Sequence, residues 1–495
     1  MTGKVTLVGA GPGGRGLLTL AGAAALGQAD AVVFDRLVGE DILGLIPEKA
    51  ARVNVGKENN HHPVPQDQIN EILVRLAKEG KNVVRLKGGD CYLFGRGGEE
   101  CEYLLENGVP FRVIPGVTSA LAAPAFAGIP VTHRDFCSSV HIVTAHARAG
   151  KPLQIDFDSL VRAGGTLVFL MGLTALEQVM DGLLAAQIAP DMPAAVIENG
   201  TRGNQRKVVA TVSDLAPQVR AAGLKSPALI IVGRVCTLSD KLDWFTPLPL
   251  HGKTVVVTRP RERAGTLAAR LHERGANVIE APCIETVPRT DVQPLADALA
   301  QPHDWAVFTS PAGVHAAVQA LRALGRDLRA LYGMRLAAIG RGTADALAAY
   351  GLAADLVPGQ YDGAHLADAL LAAMPQGGAA LLLRAAAGGR ILPEKLAAAG
   401  VTVTDVPLYD TVYRCAKADE LRALLDRGEA DVVTFTSMST VEGFVQAVGA
   451  ADYTGFTALC IGEQTAQAAR KYHMNVKIAE NATIDAMIAC LLEES

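Results

Sequence analysis

Short runs of branched apolar residues alternate along the whole chain with longer stretches rich in alanine and leucine. The short runs are typical of strands because they are almost continuously apolar and are bounded by glycine, proline or charged residues. In the first half they are residues 5–8, 31–34, 83–86, 112–114, 167–170 and 229–232. Apolar strands separated by helices indicate parallel sheets covered on both faces. The pattern therefore predicts an α/β fold.

One segment, residues 238–252, shows neither the helical nor the strand period. It reads LSDKLDWFTPLPLHG, with two prolines and one of the two tryptophans of the chain. Directly after it, KTVVVTR starts a new strand, much as KVTLV does near the amino terminus. We therefore predict one α/β domain over residues 1–245 and a second over residues 251–495.

Composition narrows the functional classes that fit this fold. The 495 residues carry a net charge of -5 and are 49% hydrophobic, which excludes a disordered chain and disfavours nucleic acid as a main partner. The eight cysteines are scattered and form no C-x-x-C pair, which favours a cytoplasmic protein with reduced thiols and no metal site. No apolar run reaches the roughly 18–20 residues of a membrane span, so we expect no membrane partner.

A glycine-rich loop follows the first strand and opens a helix. Residues 9–14 read GAGPGG, which fits the dinucleotide fingerprint G-x-G-x-x-G, and Asp35 closes the next strand where a ribose-binding acid would lie. Pro12 argues against this interpretation, because it removes an N–H group that a phosphate cradle requires. A nicotinamide-dependent oxidoreductase stays an alternative at this point.

Further motifs follow in a specific order along the first half. They are KGGD at residues 87–90, CYLFGRGGEE at 91–100, PGVTSA at 115–120 and GIPVTHRDF at 128–136. Together with the glycine loop and FDRLV at 34–38, this order resembles the uroporphyrinogen-III C-methyltransferases of the tetrapyrrole methylase family over residues 1 to about 240. The resemblance implies a tetrapyrrole methylase fold of two α/β subdomains, with S-adenosyl-L-methionine as methyl donor and no metal.

The same resemblance assigns residues to a site between the two subdomains. The S-adenosyl-L-methionine site is expected to contain Pro12, Gly88, Gly89, Asp90, Leu93, Thr118, Ser119, Met171 and Gly200. Asp35 and Lys57 are the expected catalytic residues, and Leu37 and Phe94 are expected to shape the substrate pocket. A carboxylate beside the macrocycle can act as a base and stabilise a cationic intermediate, while an ammonium group can donate a proton. Without the resemblance, Met171 is typical of a core residue, and Thr118 or Ser119 is typical of a helix cap.

The second half contains an internal repeat. Residues 308–310 and 435–437 both read F-T-S after a strand, and IGRGTA at 339–344 and IGEQTA at 461–466 follow at similar distances. Two similar α/β lobes in one domain usually enclose a cleft. With VVTRP at 256–260 and PLY at 407–409, this order resembles the uroporphyrinogen-III synthase family from about residue 251 to the end. That resemblance implies a first lobe of residues 251–287 plus 411–495 and a second lobe of residues 288–410.

The second resemblance implies that hydroxymethylbilane is cyclised to uroporphyrinogen III with loss of water and inversion of ring D. Tyr409 matches the cleft tyrosine of the family and is the expected proton donor to the leaving hydroxyl. Helix starts suit the substrate carboxylates, and the residues expected there are Thr309, Ser310, Thr343, Thr436, Ser437 and Thr465. Four arginines are candidates for additional positive charge: Arg259, Arg341, Arg384 and Arg390.

Taken together, the two resemblances imply a bifunctional enzyme of tetrapyrrole biosynthesis. It would make uroporphyrinogen III and methylate it at C2 and C7 to precorrin-2, on the sirohaem or cobalamin branch, with S-adenosylhomocysteine as by-product. The methyltransferase resemblance also implies a homodimer. The alternatives are the nicotinamide-dependent oxidoreductase and a two-lobed ligand-binding protein, which the second half alone suggests.

Overall fold

The computed structural model of the chain describes residues 2–47, 49–56, 64–145, 153–259, 261–374 and 377–493. Within these residues the chain forms four sheets of five strands each, two in either half, with helices packed against them. In the part of the chain that is described, no helix combines the length and the apolar character needed to cross a bilayer.

The first sheet is entirely parallel. Its strands are β1 (Lys4–Gly9), β2 (Ala31–Phe34), β3 (Ala51–Asn54), β4 (Asn82–Lys87) and β5 (Phe111–Ile114), in the spatial order β3-β2-β4-β1-β5. Its helices are α1 (Leu20–Gly27), α2 (Glu40–Leu43), α3 (Gln66–Lys78) and α4 (Gly97–Glu106). Val5 and Leu7 lie in one apolar cluster and Val8 in another, so this sheet is covered on both faces, as its apolar strands predict.

The second sheet is mixed, which corrects the prediction of parallel sheets throughout. Its strands are β6 (Val140–Thr144), β7 (Thr166–Leu170), β8 (Pro193–Glu198), β9 (Arg206–Thr211) and β10 (Ala228–Val232), in the order β6-β7-β10-β8-β9. Its helices are α5 (Ser119–Phe126), α6 (Phe157–Ala163), α7 (Leu176–Ala185) and α8 (Leu215–Ala222). β10 runs antiparallel to both of its neighbours. Continuous apolarity reports burial on both faces and not strand direction, so the pattern could not distinguish the two arrangements.

The third sheet combines strands from both ends of the second half. Its strands are β11 (Thr254–Val257), β12 (Asn277–Glu280), β18 (Val432–Phe435), β19 (Thr457–Cys460) and β20 (Asn475–Ile478), in the order β12-β11-β18-β19-β20. Its helices are α9 (Arg261–His272), α15 (Ala418–Asp426), α16 (Met438–Val448), α17 (Glu463–Arg470) and α18 (Ile484–Leu492). All the pairings in this sheet are parallel.

The fourth sheet lies between these two segments in sequence. Its strands are β13 (Ile284–Pro288), β14 (Trp305–Phe308), β15 (Arg335–Ala338), β16 (Ala379–Ala385) and β17 (Thr402–Tyr413), in the order β13-β17-β16-β14-β15. Its helices are α10 (Gln293–Ala298), α11 (Pro311–Ala323), α12 (Arg341–Ala348), α13 (Gly363–Ala373) and α14 (Ile391–Ala398). The chain passes between the third and fourth sheets at residues 281–283 and 414–417. These two crossing segments touch, because Arg414 N donates to Cys283 O at 3.3 Å.

The segment between the two halves packs against the first half. The Trp244 and Phe245 rings lie 4.8 and 4.9 Å from the Phe126 ring at the end of α5, and Trp244 Nε1 donates to Ala125 O at 3.0 Å. Gly252 N donates to Gly203 O at 2.8 Å. Aromatic packing and backbone hydrogen bonds therefore hold this segment in place, and it is not a free tether.

Candidate active sites

Four loops of the first half meet at the carboxyl edge of the parallel sheet. They follow β1, β2, β4 and β5, and they contain Pro12, Asp35, residues 88–90 and Thr118 respectively. Ligands of open α/β sheets bind at this edge, because backbone N–H groups and loop side chains converge there. The fold thus brings together predicted site residues that are far apart in sequence.

Backbone contacts hold three of these loops together. Gly11 N donates to Gly89 O at 3.1 Å, and Gly89 N donates to Gly11 O at 2.8 Å. Both glycines have a positive φ, of 76° and 69°, which side chains rarely adopt. A Cβ on Gly116 would lie 2.3 Å from Gly89 O, so the loop after β5 also packs directly on this pair. We call these three loops the glycine floor: residues 9–14, 88–90 and 115–117.

Asp90 stabilises the glycine floor with both of its carboxylate oxygens. Oδ1 accepts from Tyr92 N and Leu93 N at 2.8 and 2.9 Å, and Oδ2 accepts from Gly116 N at 2.9 Å. The structure therefore gives Asp90 a bracing function that fixes Leu93 and the loop after β5. Its contact with a bound ligand stays a prediction.

Local structure explains why a threonine occupies position 118 and a glycine occupies position 200. Thr118 is the N-cap of α5, where its Oγ1 accepts from Ala120 N at 3.3 Å, and Ser119 is the first residue of that helix. A Cβ on Gly200 would lie 2.2 Å from the Cβ of Ala123, so only glycine lets this loop pack on α5. The capping interpretation of Thr118 is confirmed, and a binding function remains a prediction.

Asp35 is the exposed end of a buried chain of alternating charges. Arg85 Nη2 lies 2.8 Å from Asp35 Oδ1, Arg85 Nε lies 3.1 Å from Glu100 Oε1, and Lys87 Nζ lies 2.9 Å from the same oxygen. The side chains of Arg85, Lys87 and Glu100 are at most 6% exposed, whereas that of Asp35 is 31% exposed. Burial alone would lower the pKa of Arg85, but Asp35 and Glu100 more than offset it, so its pKa is raised. The network fixes the Asp35 carboxylate where a ligand can reach it.

Backbone strain is concentrated beside the predicted site residues. Five of the seven non-glycine residues with positive φ in the described part of the chain lie at predicted site positions or within two residues of them: Phe94, Arg96, Met171, Asn199 and Thr201. Such conformations persist mainly at functional sites. Phe94 and Met171 are also 40% and 49% exposed, which rules out Met171 as a core residue. The strain and the exposure together favour ligand contact at both positions.

Arg96 and Glu99 form an exposed ion pair close to Phe94 that the sequence analysis does not single out. Arg96 Nε lies 3.0 Å from both carboxylate oxygens of Glu99, and its Nη2 lies 2.5 Å from Oε2. The hydrogen bonds from Arg96 hold the pKa of Glu99 below its ordinary value. In the sequence, Arg96 and Glu99 resemble any surface ion pair at the start of a helix. The left-handed backbone conformation of Arg96 distinguishes this pair from others.

Three further predicted residues of this region are Lys57, Pro12 and Leu37. Lys57 lies outside the described residues. Pro12 is half-buried, and Leu37 is 52% exposed with its carbonyl accepting from Arg202 Nη2 at 3.2 Å. Within the described ranges, no three His, Cys, Asp or Glu side chains are grouped so that they could hold a metal ion.

In the second half, the structure joins two predicted residues directly. Tyr409 OH and Ser310 Oγ lie 2.8 Å apart, and Ser310 Oγ also accepts from Gly313 N at 3.0 Å as the N-cap of α11. Tyr409 is 7% exposed, so its hydroxyl lies in a protected environment. Thr309, next to Ser310, is half-buried. Ser310 thus connects a helix start to the predicted proton donor.

The repeat in the sequence corresponds to repeated local structure. Ser310 and Ser437 cap the helices after β14 and β18, and Gly340 and Gly462 occupy the N-cap positions of α12 and α17. Ser310 follows a strand of the fourth sheet and Tyr409 lies in another strand of that sheet, whereas Thr436 and Ser437 follow a strand of the third. A site that uses all of them must span both lobes.

Two of the predicted threonines and one of the candidate arginines are already engaged inside the protein. Thr343 and Thr465 are 2% and 4% exposed, so they contribute mainly to packing at helix starts. Arg384 Nε and Nη2 lie 2.9 and 2.5 Å from the two carboxylate oxygens of Asp405. Its charge is therefore compensated, while Arg341 and Arg390 are exposed.

Comparison with known families gives one match for each half. The model of the tetrapyrrole (corrin/porphyrin) methylases matches residues 4–216, and that of uroporphyrinogen-III synthase HemD matches residues 265–489. The chain is 46% identical over 493 residues to the porphyrin biosynthesis protein HemD of Ruminiclostridium josui, covering 99% of this chain and 98% of that protein.

Some relatives match only the first half of the chain. Siroheme synthase 2 of Klebsiella pneumoniae subsp. pneumoniae is 52% identical over 244 residues, which cover 49% of this chain and 52% of that protein. The chain therefore aligns with about half the length of the siroheme synthases that it resembles.

Solved structures are similar to each half separately. Uroporphyrin-III C-methyl transferase from Thermus thermophilus, complexed with S-adenosyl homocysteine, is 38% identical and covers 48% of this chain and 99% of its own, with a TM-score of 0.41. A mutant uroporphyrinogen III synthase from Thermus thermophilus is 25% identical and covers 49% of this chain and 100% of its own, with a TM-score of 0.37.

Proposed function

Because the chain belongs to the family of fused tetrapyrrole methylases and uroporphyrinogen-III synthases, we propose that its halves catalyse two successive steps of tetrapyrrole biosynthesis. The second half cyclises hydroxymethylbilane to uroporphyrinogen III, with loss of water and inversion of ring D. The first half methylates uroporphyrinogen III at C2 and C7 with S-adenosyl-L-methionine, giving precorrin-2 and S-adenosylhomocysteine. The observation that carries this proposal is the 46% identity to the Ruminiclostridium josui protein, which runs through both halves.

The domain boundaries follow from the same proposal. The methyltransferase domain comprises residues 1–245, and the synthase domain comprises residues 251–495, with one lobe of 251–287 plus 411–495 and the other of 288–410. The family matches, which end at residue 216 and begin again at 265, are compatible with a boundary in the segment that contains Trp244.

The glycine floor suits a nucleoside methyl donor. A Cβ on Gly89 would meet no atom within 4 Å, so a ligand can lie directly against this backbone. The half-exposed thioether of Met171 can pack on an adenine ring. Pro12, Gly88, Asp90, Leu93, Thr118, Ser119 and Gly200 complete the proposed donor site. Since the donor is already activated and the pyrrole is electron-rich, the main task of this site is positioning.

Asp35 is the proposed base for the methyl transfer. Carbon methylation leaves a cationic macrocycle that must lose a proton, and a carboxylate beside it can stabilise the charge and accept that proton. The ion pair with Arg85 fixes the orientation of Asp35, and Leu37 and Phe94 offer exposed apolar surface to the macrocycle. Lys57 remains a proposed proton donor.

Tyr409 is the proposed acid of the synthase site. Its hydroxyl donates a proton to the departing hydroxyl of hydroxymethylbilane, and Ser310, 2.8 Å away, can hold Tyr409 in place. The N–H groups at the starts of α11, α12, α16 and α17 bind substrate carboxylates. The hydroxyls of Thr309, Thr436 and Ser437 add hydrogen bonds, while Thr343 and Thr465 support the helix starts.

We also propose that the enzyme acts in the cytoplasm as a homodimer joined through the methyltransferase domain, without a nucleic acid or membrane partner. The free cysteines support a reducing compartment, because none of the eight forms a disulfide in the described residues. Light scattering on the purified chain measures the oligomeric state, and a monomer would contradict this part of the proposal.

Two assays on the purified chain test the activities separately. Calorimetric titration with S-adenosylhomocysteine should show tight binding, while NADH should show none; the reverse result would indicate the oxidoreductase. Incubation with hydroxymethylbilane should give the III isomer of uroporphyrinogen. A passive ligand-binding protein would leave the I isomer, which forms without an enzyme.

A further inference from the structure

One loop of the methyltransferase domain carries proposed substrate contacts and also touches the synthase domain. We call residues 35–44 the substrate loop, because they run from Asp35 and Leu37 to the end of α2. Within its own domain this loop is closely packed. A Cβ on Gly88 would lie 2.9 Å from the Cβ of Leu37, and a Cβ on Gly39 would lie 2.8 Å from Gly13 O.

Polar contacts also fix the substrate loop to its own domain. Asp41 Oδ2 accepts from Arg15 N at 2.6 Å, and Arg202 Nη2 donates to Leu37 O at 3.2 Å. The positions of Leu37 and Asp35 are therefore linked to the position of α2, since the loop has little room to deform between them.

The synthase domain contacts the other side of this loop. Lys417 Nζ lies 3.1 Å from Glu40 Oε2, and the side chain of Lys417 is only 13% exposed. Glu40 is the one acidic side chain that pairs with this ammonium group among the residues that the structure describes. α2 also packs against β12. Asp41 and His272, from opposite domains, line a cavity of about 370 Å³ between the domains.

Lys417 lies where the chain crosses between the two lobes of the synthase domain. It ends the crossing segment of residues 414–417 and is the N-cap of α15. This segment is one of the two that connect the lobes, so any change in the angle between the lobes moves Lys417. The ion pair consequently joins the lobe connection of one enzyme to the substrate loop of the other.

We propose that Glu40 and Lys417 are positioning residues, through which the synthase domain holds the substrate loop so that Leu37 and Asp35 meet uroporphyrinogen III. The inference rests on the proposed function, because it takes these two residues as substrate contacts. Loss of Glu40 leaves the poorly solvated ammonium group of Lys417 unpaired, and loss of Lys417 removes its attraction to the half-exposed Glu40 carboxylate, so either change weakens the contact between the two surfaces. The methyltransferase site therefore depends on a domain that contributes no reacting group to it.

The test measures methyl transfer with uroporphyrinogen III supplied directly to the full chain. Glu40→Gln and Lys417→Gln should each raise KM for uroporphyrinogen III about 5-fold, a typical coupling between linked sites, with kcat changed less than about 2-fold. The affinity for S-adenosylhomocysteine and the synthase rate should stay within about 2-fold of wild type. These two readouts also report that both domains are folded.

Rescue distinguishes positioning from general structural damage. Lys417→Arg keeps the charge and should give a KM near that of wild type, and the exchanged pair Glu40→Lys with Lys417→Glu should recover most of the loss. The matched control is Lys253→Gln, which removes an ion pair to Asp431 inside the synthase domain and should leave KM unchanged.

Two results would overturn the inference: wild-type KM in both single variants, or no recovery in either charge-restoring variant. A wild-type chain that neither binds S-adenosylhomocysteine nor methylates uroporphyrinogen III would instead overturn the proposed function itself.

Discussion

The two sites of this chain are built in different ways. In the methyltransferase domain, loops of the parallel sheet are joined by backbone hydrogen bonds between Gly11 and Gly89 and by a close approach at Gly116 that admits only glycine. In the synthase domain, the proposed site residues are divided between the two lobes, and within one lobe the hydroxyls of Ser310 and Tyr409 lie 2.8 Å apart. The glycine floor is held together by contacts within the protein, whereas the proposed synthase site draws its residues from both lobes.

The difference matches the two ligands. A nucleoside donor is small, and a preformed surface binds it without ordering the protein further. A linear tetrapyrrole with eight carboxylates is long and flexible, so a cleft that closes can fold it into one conformer. Substitutions of Asp35 and Tyr409 should therefore change mainly the rate of the chemical step. Substitutions in the glycine floor should change mainly the packing of the loops.

The largest effect is expected from Asp35→Asn. Loss of a general base lowers kcat for methyl transfer by about 10²- to 10⁴-fold, because the cationic macrocycle cannot transfer its proton. The affinity for S-adenosylhomocysteine should change less than 2-fold, since the glycine floor is untouched. Steady-state kinetics and calorimetry measure the two quantities. Asp191→Asn, in an exposed turn, is the control. A kcat within about 3-fold of wild type would show that Asp35 is not the base.

Tyr409→Phe should lower the synthase rate by about 10²-fold and shift the product towards the I isomer, because the hydroxyl that assists water loss is absent. The methyltransferase rate with supplied uroporphyrinogen III should not change. Separation of the isomers by chromatography gives the ratio. Tyr332→Phe, at a tyrosine that is 93% exposed, should behave as wild type. An unchanged isomer ratio in the Tyr409 variant would contradict the assignment.

Gly116→Ala tests whether the methyltransferase site is preformed. The new Cβ would lie 2.3 Å from Gly89 O, and overpacking of this kind costs typically 1–3 kcal/mol. Because the proposed donor lies against Gly89, we expect the displacement to cost about 2 kcal/mol of binding free energy, which corresponds to a roughly 30-fold weaker affinity for S-adenosylhomocysteine. Gly98→Ala, where a Cβ would meet nothing within 4 Å, should bind normally. Equal affinity in both variants would mean that the glycine floor adapts to its ligand.

The smallest effect concerns a cysteine at the lobe connection. A hydrogen bond from Cys283, together with Lys417, lowers the pKa of Cys415 to about 7, although partial burial opposes this. The reactive thiolate of Cys415 therefore increases as the pH rises through about 7, and alkylation by iodoacetamide should be half-maximal there. Cys283→Ala should move this midpoint towards an ordinary value of about 8.5.

Cys91 is the matched comparison in the methyltransferase domain. Burial raises the pKa of its thiol to about 12, so it should stay unreactive across the same pH range. Peptide mass spectrometry follows both cysteines in one sample. Alkylation of Cys91 at the rate of Cys415, or an unchanged midpoint in the Cys283 variant, would contradict the difference between the two regions.

The parts of this structure that sequence predicts are those that depend on local pattern. The strand of residues 5–8 lies within β1, and the loops of the glycine floor are contiguous motifs. The charge network is different, because Glu100 looks like an ordinary helix-start acid and Arg85 like a residue at the end of a strand. Only the packing of α4 on the sheet shows that both are buried.

Contacts between domains are beyond the reach of sequence pattern for a similar reason. Glu40 and Lys417 lie in unremarkable surface-type contexts, and nothing near either residue indicates the other. The antiparallel direction of β10 also differs from the prediction. An apolar run indicates how deeply a strand is buried and not the direction of the neighbours with which it pairs.

The most direct test of both sites is the mass of the reaction product. The purified chain is incubated with hydroxymethylbilane and S-adenosyl-L-methionine, and the product is weighed by mass spectrometry. The expected product is the III isomer of the macrocycle with two added methyl groups, since one chain carries both activities. Recovery of unmethylated uroporphyrinogen, or of the I isomer alone, would contradict the assignment of two successive enzymes to this chain.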